Sequence, residues 1–350
     1  MKCIHVSEFG TDVDKILTMA SDEEKPVVDL KGGKMMLVKV EACSISAGDA
    51  IMISGACDKM LPPPSFPFVP GMDICGIVEE VADCDRFKVG DRIMATNGML
   101  PVGGLAEYVA VHTKWAAKIP ENIDAVQASA LPNSPCAAMA AMKTARIRSG
   151  ERVMVLGGSG GVGTSLLQLV KDAEASFLAT TSTDEALCSS LGADRVIDYR
   201  QTNWFEDESF KEAPFDAVID CVGWRDEWKE SLRHGVLKPG LKGGRYISVA
   251  FTDKPEMHSV WQGIQMFVPQ LQRIISTTIN RFRPTYKLVI SEPSAKELEE
   301  LAELVRAKRL RPVLEARSPF SFTVEGVRDA FRLLMSKHAH GKVVVKISSS

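Results

Sequence analysis

The chain has 350 residues, enough for two domains with separate cores, and its 45% apolar and 25% charged residues are ordinary for a soluble globular protein. A formal charge of −3 without a long run of like charge argues against nucleic acid as a partner. No run of about 18 apolar residues is present to span a membrane. Met1–Phe9 lacks a basic region followed by an apolar run, so no secretory signal is expected. The eight cysteines (3, 43, 57, 75, 84, 136, 188, 221) form no C-x-x-C pair. They read as reduced thiols in a cytoplasmic compartment, although a mature chain in an organelle would look much the same.

Up to about residue 125 the sequence is a series of short strand-like runs cut by Gly and Pro: Met35–Glu41, Gly76–Val81, Asp91–Ala95 and Leu105–Val111. Such spacing predicts a compact antiparallel or barrel-like β domain. "LPPPSFPFVP" (61–70) reads as a loop, because proline lacks the backbone donor and fixes φ. From about 150 the texture changes to strands at Arg152–Gly157, Ser176–Thr181, Arg195–Tyr199, Ala217–Val222, Arg245–Ala250 and Lys287–Ser291. Helical segments separate them, among them Val162–Ala173 and Asp184–Leu191, so β-α-β units and a doubly wound parallel sheet are expected. Residues 257–284 carry an apolar stripe (Trp261, Met266, Phe267, Leu271, Ile274, Ile275, Ile279) with a proline break expected at 269. Core packing is the commonest reason for such a stripe, ahead of a substrate wall or a subunit contact. After 294 come two amphipathic helices and the strand "KVVVKI". Ser294 with Glu297 reads as a capping box opening the first helix, and the tail is expected to return to the first domain.

The chemistry centres on "GGSGGVG" (157–163), which follows a strand and opens a helix. Glycines there permit a tight turn and let the backbone approach a pyrophosphate, which the helix N-terminus then holds. Gly157, Ser159, Gly160, Gly161, Val162 and Gly163 are the expected contacts. No G-K-[ST] follows, so a nucleotide triphosphatase is not expected. NAD users place an acid about 20 residues beyond the glycines, at the end of the second strand. Here Thr180-Thr181-Ser182-Thr183 stands there, hydroxyls that would not repel a 2′-phosphate, which favours NADP(H). Two readings compete: Ser182 with Glu185 also makes a capping box, and Asp184 reaches a ribose if the strand ends later. Thr181, Ser182 and Tyr199 are assigned the adenosine end. Arg200 is as readily a solvated surface charge, and Val222-Gly223 are placed near the cofactor's bridge.

With this turn the chain resembles the medium-chain dehydrogenase/reductase superfamily, in particular its zinc-independent quinone oxidoreductase-like branch. The resemblance covers "FPFVPGMDICGIVEEV" (66–81), "FKVGDRIMA" (87–95), "GGLAEYVAV" (103–111), "SLGADRVIDY" (190–199), "FDAVIDCVG" (215–223) and "HGKVVVKI" (340–347). It implies a Rossmann domain at 128–292 and a GroES-like β-barrel domain at 1–127, completed by 293–350. Carried over by position, the zinc ligands of metal-dependent members fall on Ser46, on Met72 with Asp73, and near Asn133. These do not form a catalytic zinc set, so no metal is expected.

Without a Lewis acid, alcohol oxidation loses its main support, whereas a quinone or an α,β-unsaturated carbonyl carries its own electron sink. The expected reaction is therefore hydride transfer from NADPH to such an acceptor. Enoyl thioester reduction is the alternative within enzymes, and a non-catalytic NADPH-binding regulatory protein the alternative outside them. No proton donor is visible: the position where some relatives have tyrosine is Ile51, so water or the substrate's own hydroxyl is the default. Ser46, Ile51 and Asn133 are the substrate-pocket candidates, Ser46 and Asn133 either as hydrogen-bond donors to a carbonyl oxygen or to orient the nicotinamide. Asp73 is expected to make a structural hydrogen bond, Met72 to fill the core, and His112, His338 and His340 to lie at the surface or in packing. A homodimer is expected by analogy with relatives whose last Rossmann strand pairs across two subunits.

Overall fold

A computed structural model describes residues 1–28, 34–58, 65–82, 84–96, 103–223, 226–250, 259–291 and 293–348, of which 260 and 263 by backbone alone. The first four residues of the 61–70 loop and the first two of the 257–284 stripe therefore lie outside the described residues.

The chain opens with β1 (Cys3–Val6), α1 (Val13–Ile16), β2 (Leu17–Ala20), β3 (Met35–Ile45), α2 (Ala47–Ser54), β4 (Asp73–Val81), β5 (Arg92–Thr96), β6 (Tyr108–His112), β7 (Ala116–Lys118) and α3 (Ala125–Ser129). After α4 (Ser134–Ala145) strands and helices alternate, beginning with β8 (Arg152–Leu156), α5 (Gly163–Asp172), β9 (Phe177–Thr181) and α6 (Glu185–Ser190). Then follow β10 (Arg195–Ile197), α7 (Glu208–Glu212), β11 (Ala217–Asp220), α8 (Glu227–Arg233), β12 (Arg245–Ser248), α9 (Val260–Ile279) and β13 (Thr285–Leu288). The tail gives α10 (Ala295–Arg306), β14 (Phe320–Ser321), α11 (Val324–Met335) and β15 (Val343–Lys346).

Contacts divide the chain into two units, residues 1–136 with 292–350 and residues 137–291. In the first, strands run in the order β14-β15-β3-β4-β5-β7, with β6 also paired to β3. The tail strand β15 lies antiparallel to β3, Val343 opposite Ile45 and Val345 opposite Cys43, so the end of the sequence completes a sheet begun by its start. Side chains that alternate along these strands, among them Val38, Val40, Ile74, Val78, Val343 and Val345, meet in one buried cluster.

The second unit is a six-stranded parallel sheet in the order β10-β9-β8-β11-β12-β13. Its strands are short apolar runs such as "RVMVL" and "AVID", as a sheet covered on both faces requires. Phe210, Phe215, Tyr246 and Tyr286 are almost wholly buried, and each apolar side chain so buried contributes roughly 2–3 kcal/mol.

Four local expectations are corrected. Asp184, not Ser182 with Glu185, caps α6, its carboxylate accepting the Leu187 N–H; the strand before it already ends at Thr181. Ser294 stands at the N-cap of α10, but its hydroxyl bonds the Glu297 carboxylate directly and caps no backbone N–H. Pro269 does not break α9, which runs through it with the proline exposed. The stripe on α9 is not core either. Trp261, Leu271, Ile275 and Ile279 are exposed, while Gln270 and Thr277 are buried and Ile274 packs on the core.

Candidate functional site

Strand β8 has β9 on one side and β11 on the other, and the chain winds from it first one way and then the other. A parallel sheet opens a crevice beyond its strand ends at such a switch point. Leu156 is in register with both Thr181 and Asp220, so the segments leaving these three residues start side by side. Gly157 leaves β8 at φ +83°, a left-handed conformation that glycine adopts without strain. A Cβ on Gly158 would lie 2.1 Å from Thr180 Oγ1, and one on Gly163 2.1 Å from the Gly157 carbonyl oxygen. The protein itself closes those two positions to any side chain. At Gly160 a Cβ would meet nothing nearer than 3.5 Å. Space is thus kept in front of the half-buried backbone of Gly160, Gly161 and Val162, at the start of α5, where helix N–H groups and dipole favour an anion. Ser159 is buried within the turn. This cradle fits a pyrophosphate.

Across from it stands the loop after β11. Buried Asp220 accepts the N–H groups of Val222 (2.9 Å) and Gly223 (3.0 Å) on one oxygen and the Tyr246 hydroxyl (2.8 Å) on the other. Burial raises its pKa and its three donors pull it back. The carboxylate thereby shapes residues 221–223, and Val222 Cγ2 ends 2.7 Å from where a Gly157 Cβ would be. Sequence reasoning missed Asp220 and Tyr246. The available signal was an acid closing an otherwise apolar strand.

At the expected adenosine end the two hydroxyls are used inside the fold. Thr181 Oγ1 accepts the Gly157 N–H at 2.9 Å, and Ser182 Oγ accepts the Asp184 N–H at 2.9 Å and faces Cys188. Tyr199 is half-buried two residues beyond Ile197, the register partner of Thr181, so β10 brings it to the same end of the sheet. Exposed Arg200 folds back on Asp198 in a two-point contact of 3.0 and 2.7 Å, which holds the Asp198 carboxyl down to about 2.

The other unit gathers a buried polar cluster. Ser46, at the N-cap of α2, gives its N–H to Asp49 at 2.8 Å, and Gly71 N–H reaches the other Asp49 oxygen at 3.0 Å. The Ser46 hydroxyl lies 3.3 Å from Asp49 and 4.0 Å from Met72 Sδ. Adjoining strands place Ser44, Asp73 and Thr96 in register, and Lys342 precedes β15 beside them. Lys342 Nζ and Asp73 form a 3.3 Å ion pair whose side chains are 4% and 0% exposed. Asn133, in the turn before α4, directs its backbone N–H towards the Asp73 carboxyl, while Ile51 is half-buried one turn further along α2. Sequence position thus does bring Ser46, Met72, Asp73 and Asn133 into one neighbourhood. It missed Asp49 and Lys342.

These donors do not fit a catalytic zinc: a hydroxyl, a thioether and an amide offer neither thiolate nor imidazole, and of the two carboxylates Asp73 is tied to Lys342 and Asp49 to the Ser46 and Gly71 N–H groups. Burial pushes the Asp49 carboxyl up to about 7, against the Ser46 and Gly71 N–H groups that pull it down.

A doubly wound sheet with a glycine turn at its switch point, together with a β unit closed by the tail, defines a dinucleotide-dependent oxidoreductase fold. Residues 32–121 match the family described as alcohol dehydrogenase GroES-like domain, and residues 191–345 that described as zinc-binding dehydrogenase. The chain is 30% identical over 356 residues to the chloroplastic NADPH-dependent alkenal/one oxidoreductase of Arabidopsis thaliana, covering 99% of this chain and 79% of that protein. It is also 30% identical over 321 residues to a chloroplastic quinone-oxidoreductase of Triphysaria versicolor, covering 89% of each. The solved quinone oxidoreductase of Coxiella burnetii superposes with a TM-score of 0.76 at 24% identity over 99% of both chains. This chain belongs to the medium-chain dehydrogenase/reductase superfamily, in its quinone oxidoreductase-like branch.

Proposed function

We propose that the protein reduces quinones or α,β-unsaturated carbonyls with NADPH and without zinc. The observation that carries this reading is the pairing of a sterically enforced glycine cradle with a cluster that has lost zinc-binding chemistry. Bound NADPH would supply the hydride. Gly157–Gly163 would hold the pyrophosphate, and Thr181, Ser182, Tyr199 and Arg200 would border the adenosine. Asp220 would keep Val222 and Gly223 in place along the cofactor. Ser46 and Asn133 would orient the acceptor's carbonyl, and conjugation in the acceptor would spread the charge that zinc carries elsewhere.

The same reading includes a homodimer in a reducing, cytoplasmic compartment. The exposed apolar face of α9 and the edge position of β13 support the first, and eight cysteines without a disulfide the second. No helix among the described residues is long and apolar enough to cross a membrane.

The deciding measurement is the initial rate of NADPH and NADH oxidation with an ortho-quinone and with a simple alkyl enone, before and after a strong chelator. Faster turnover with NADPH, untouched by the chelator, is expected. Absence of turnover in protein shown to bind NADPH would overturn the reading, as would loss of activity on chelation.

A further inference from the structure

A three-donor group lies on the β1–β2 hairpin. Cys3 and His5 are two apart on β1, and a strand's period of two turns both side chains to one face. Glu23 joins them because its N–H bonds the Met1 carbonyl at 3.1 Å, which carries the chain back alongside the start of β1. His5 Nε2 and Glu23 Oε2 are 3.0 Å apart, and the thiol, imidazole and carboxylate donor atoms all lie within 4.8 Å of one another.

A tetrahedral zinc with bonds of about 2.0–2.3 Å separates a sulfur, a nitrogen and an oxygen donor by roughly 3.3–3.6 Å, so small side-chain rotations close the site. The backbone beneath is fixed on both sides. β1 pairs with β2, Cys3 opposite Ala20 and His5 opposite Thr18, and Ile4 N–H bonds the Leu105 carbonyl at 2.9 Å on the other edge. Lys2 N–H reaches the Glu107 carboxylate there at 2.7 Å. Donors on such rigid elements are arranged before any ion arrives. Cys3 is fully buried while Glu23 is nearly half exposed, which leaves an entry path and room for water as a fourth ligand.

We propose that Cys3, His5 and Glu23 bind a divalent transition-metal ion of the zinc type. A sulfur, a nitrogen and an oxygen donor select a borderline ion and reject calcium or magnesium, which take oxygen sets. On binding, the Cys3 S–H bond breaks, its proton passes to solvent, and a sulfur–metal bond forms. Glu23, Asp22 and Glu107 place negative charge around the thiol, against the single N-terminal ammonium nearby, which favours a cation in place of its proton.

The test is titration of the chelator-treated full-length protein with Co²⁺, followed by displacement with Zn²⁺. One equivalent of Co²⁺ should produce a thiolate-to-metal charge-transfer band that Zn²⁺ removes. Cys3→Ser should abolish the band, and His5→Gln or Glu23→Gln should each weaken binding by roughly tenfold or more. The last two replace partly exposed side chains and keep the buried thiol, so they report even if Cys3→Ser fails to fold. No band in the parent protein, or one that survives in Cys3→Ser, overturns the proposal. So does unchanged affinity in both of the other variants.

Discussion

The glycine turn and the polar cluster are built in opposite ways. In the turn the reactive surface is backbone, and one continuous stretch of sequence supplies it. In the cluster the surface is side chains, brought from β3, α2, β4, β5 and the tail, with Asp73 and Lys342 269 positions apart. A backbone site tolerates no added atoms. A side-chain site tolerates no unpaired charge.

That contrast is sharpest where steric failure is set against an unfilled space. Gly158→Val would press a side chain onto Thr180, so NADPH binding should fall by about 100-fold or more, together with thermal stability. Gly160→Ala meets no such wall; its melting temperature should stay near the parent's while NADPH affinity drops. Equal losses of stability in the two, by calorimetry and cofactor titration, would break the comparison.

In the cluster, Lys342→Met strands a buried carboxylate and should cost roughly 3–5 kcal/mol by denaturant unfolding. Adding Asp73→Asn should return much of that loss, because the unpaired charge is gone. A double variant no more stable than the single one would mean the two groups do not act as a pair.

The pH dependence has a definite sign. Asp49 is raised in the folded chain from about 3.8 to about 7, so the folded state holds the proton more tightly than the unfolded one. Its contribution to stability is full below about pH 4 and is lost as pH rises through about 7, on the order of 4 kcal/mol. Asp73 and Asp220, also raised by burial, act in the same direction. Asp49→Asn should flatten this part of the stability–pH curve, read by urea unfolding at pH 5 and pH 8. A smaller effect belongs to Tyr246→Phe, which removes one of the three hydrogen bonds to Asp220 and should cost about 1–3 kcal/mol.

Much of the architecture was legible because it rests on local patterns. The strand–glycine–helix passage at 152–172 and the βαβ alternation after it follow from short-range chemistry. The return of "KVVVKI" to the first domain was legible from the loss of that alternation. α9 misled because amphipathic periodicity says that a face will be apolar, not that it will be covered. Gln270 turned inward because Tyr286, on β13, offers its hydroxyl there. Thr181 likewise read as an open hydroxyl, since nothing in its own segment shows that Gly157 supplies the N–H group it accepts.

By itself the sequence determined the glycine turn, the parallel sheet behind it and which residue types stand at Ser46, Met72 and Asn133. Each depends on residue types at fixed spacing, where sterics and donor chemistry act within a few bonds. Only the tertiary structure decided that Asp220 shapes the 221–223 loop, that burial raises the Asp49 carboxyl, and that Lys342 answers Asp73. Those outcomes depend on burial and on pairings between distant strands, and a carboxylate's charge is fixed by what surrounds it in space.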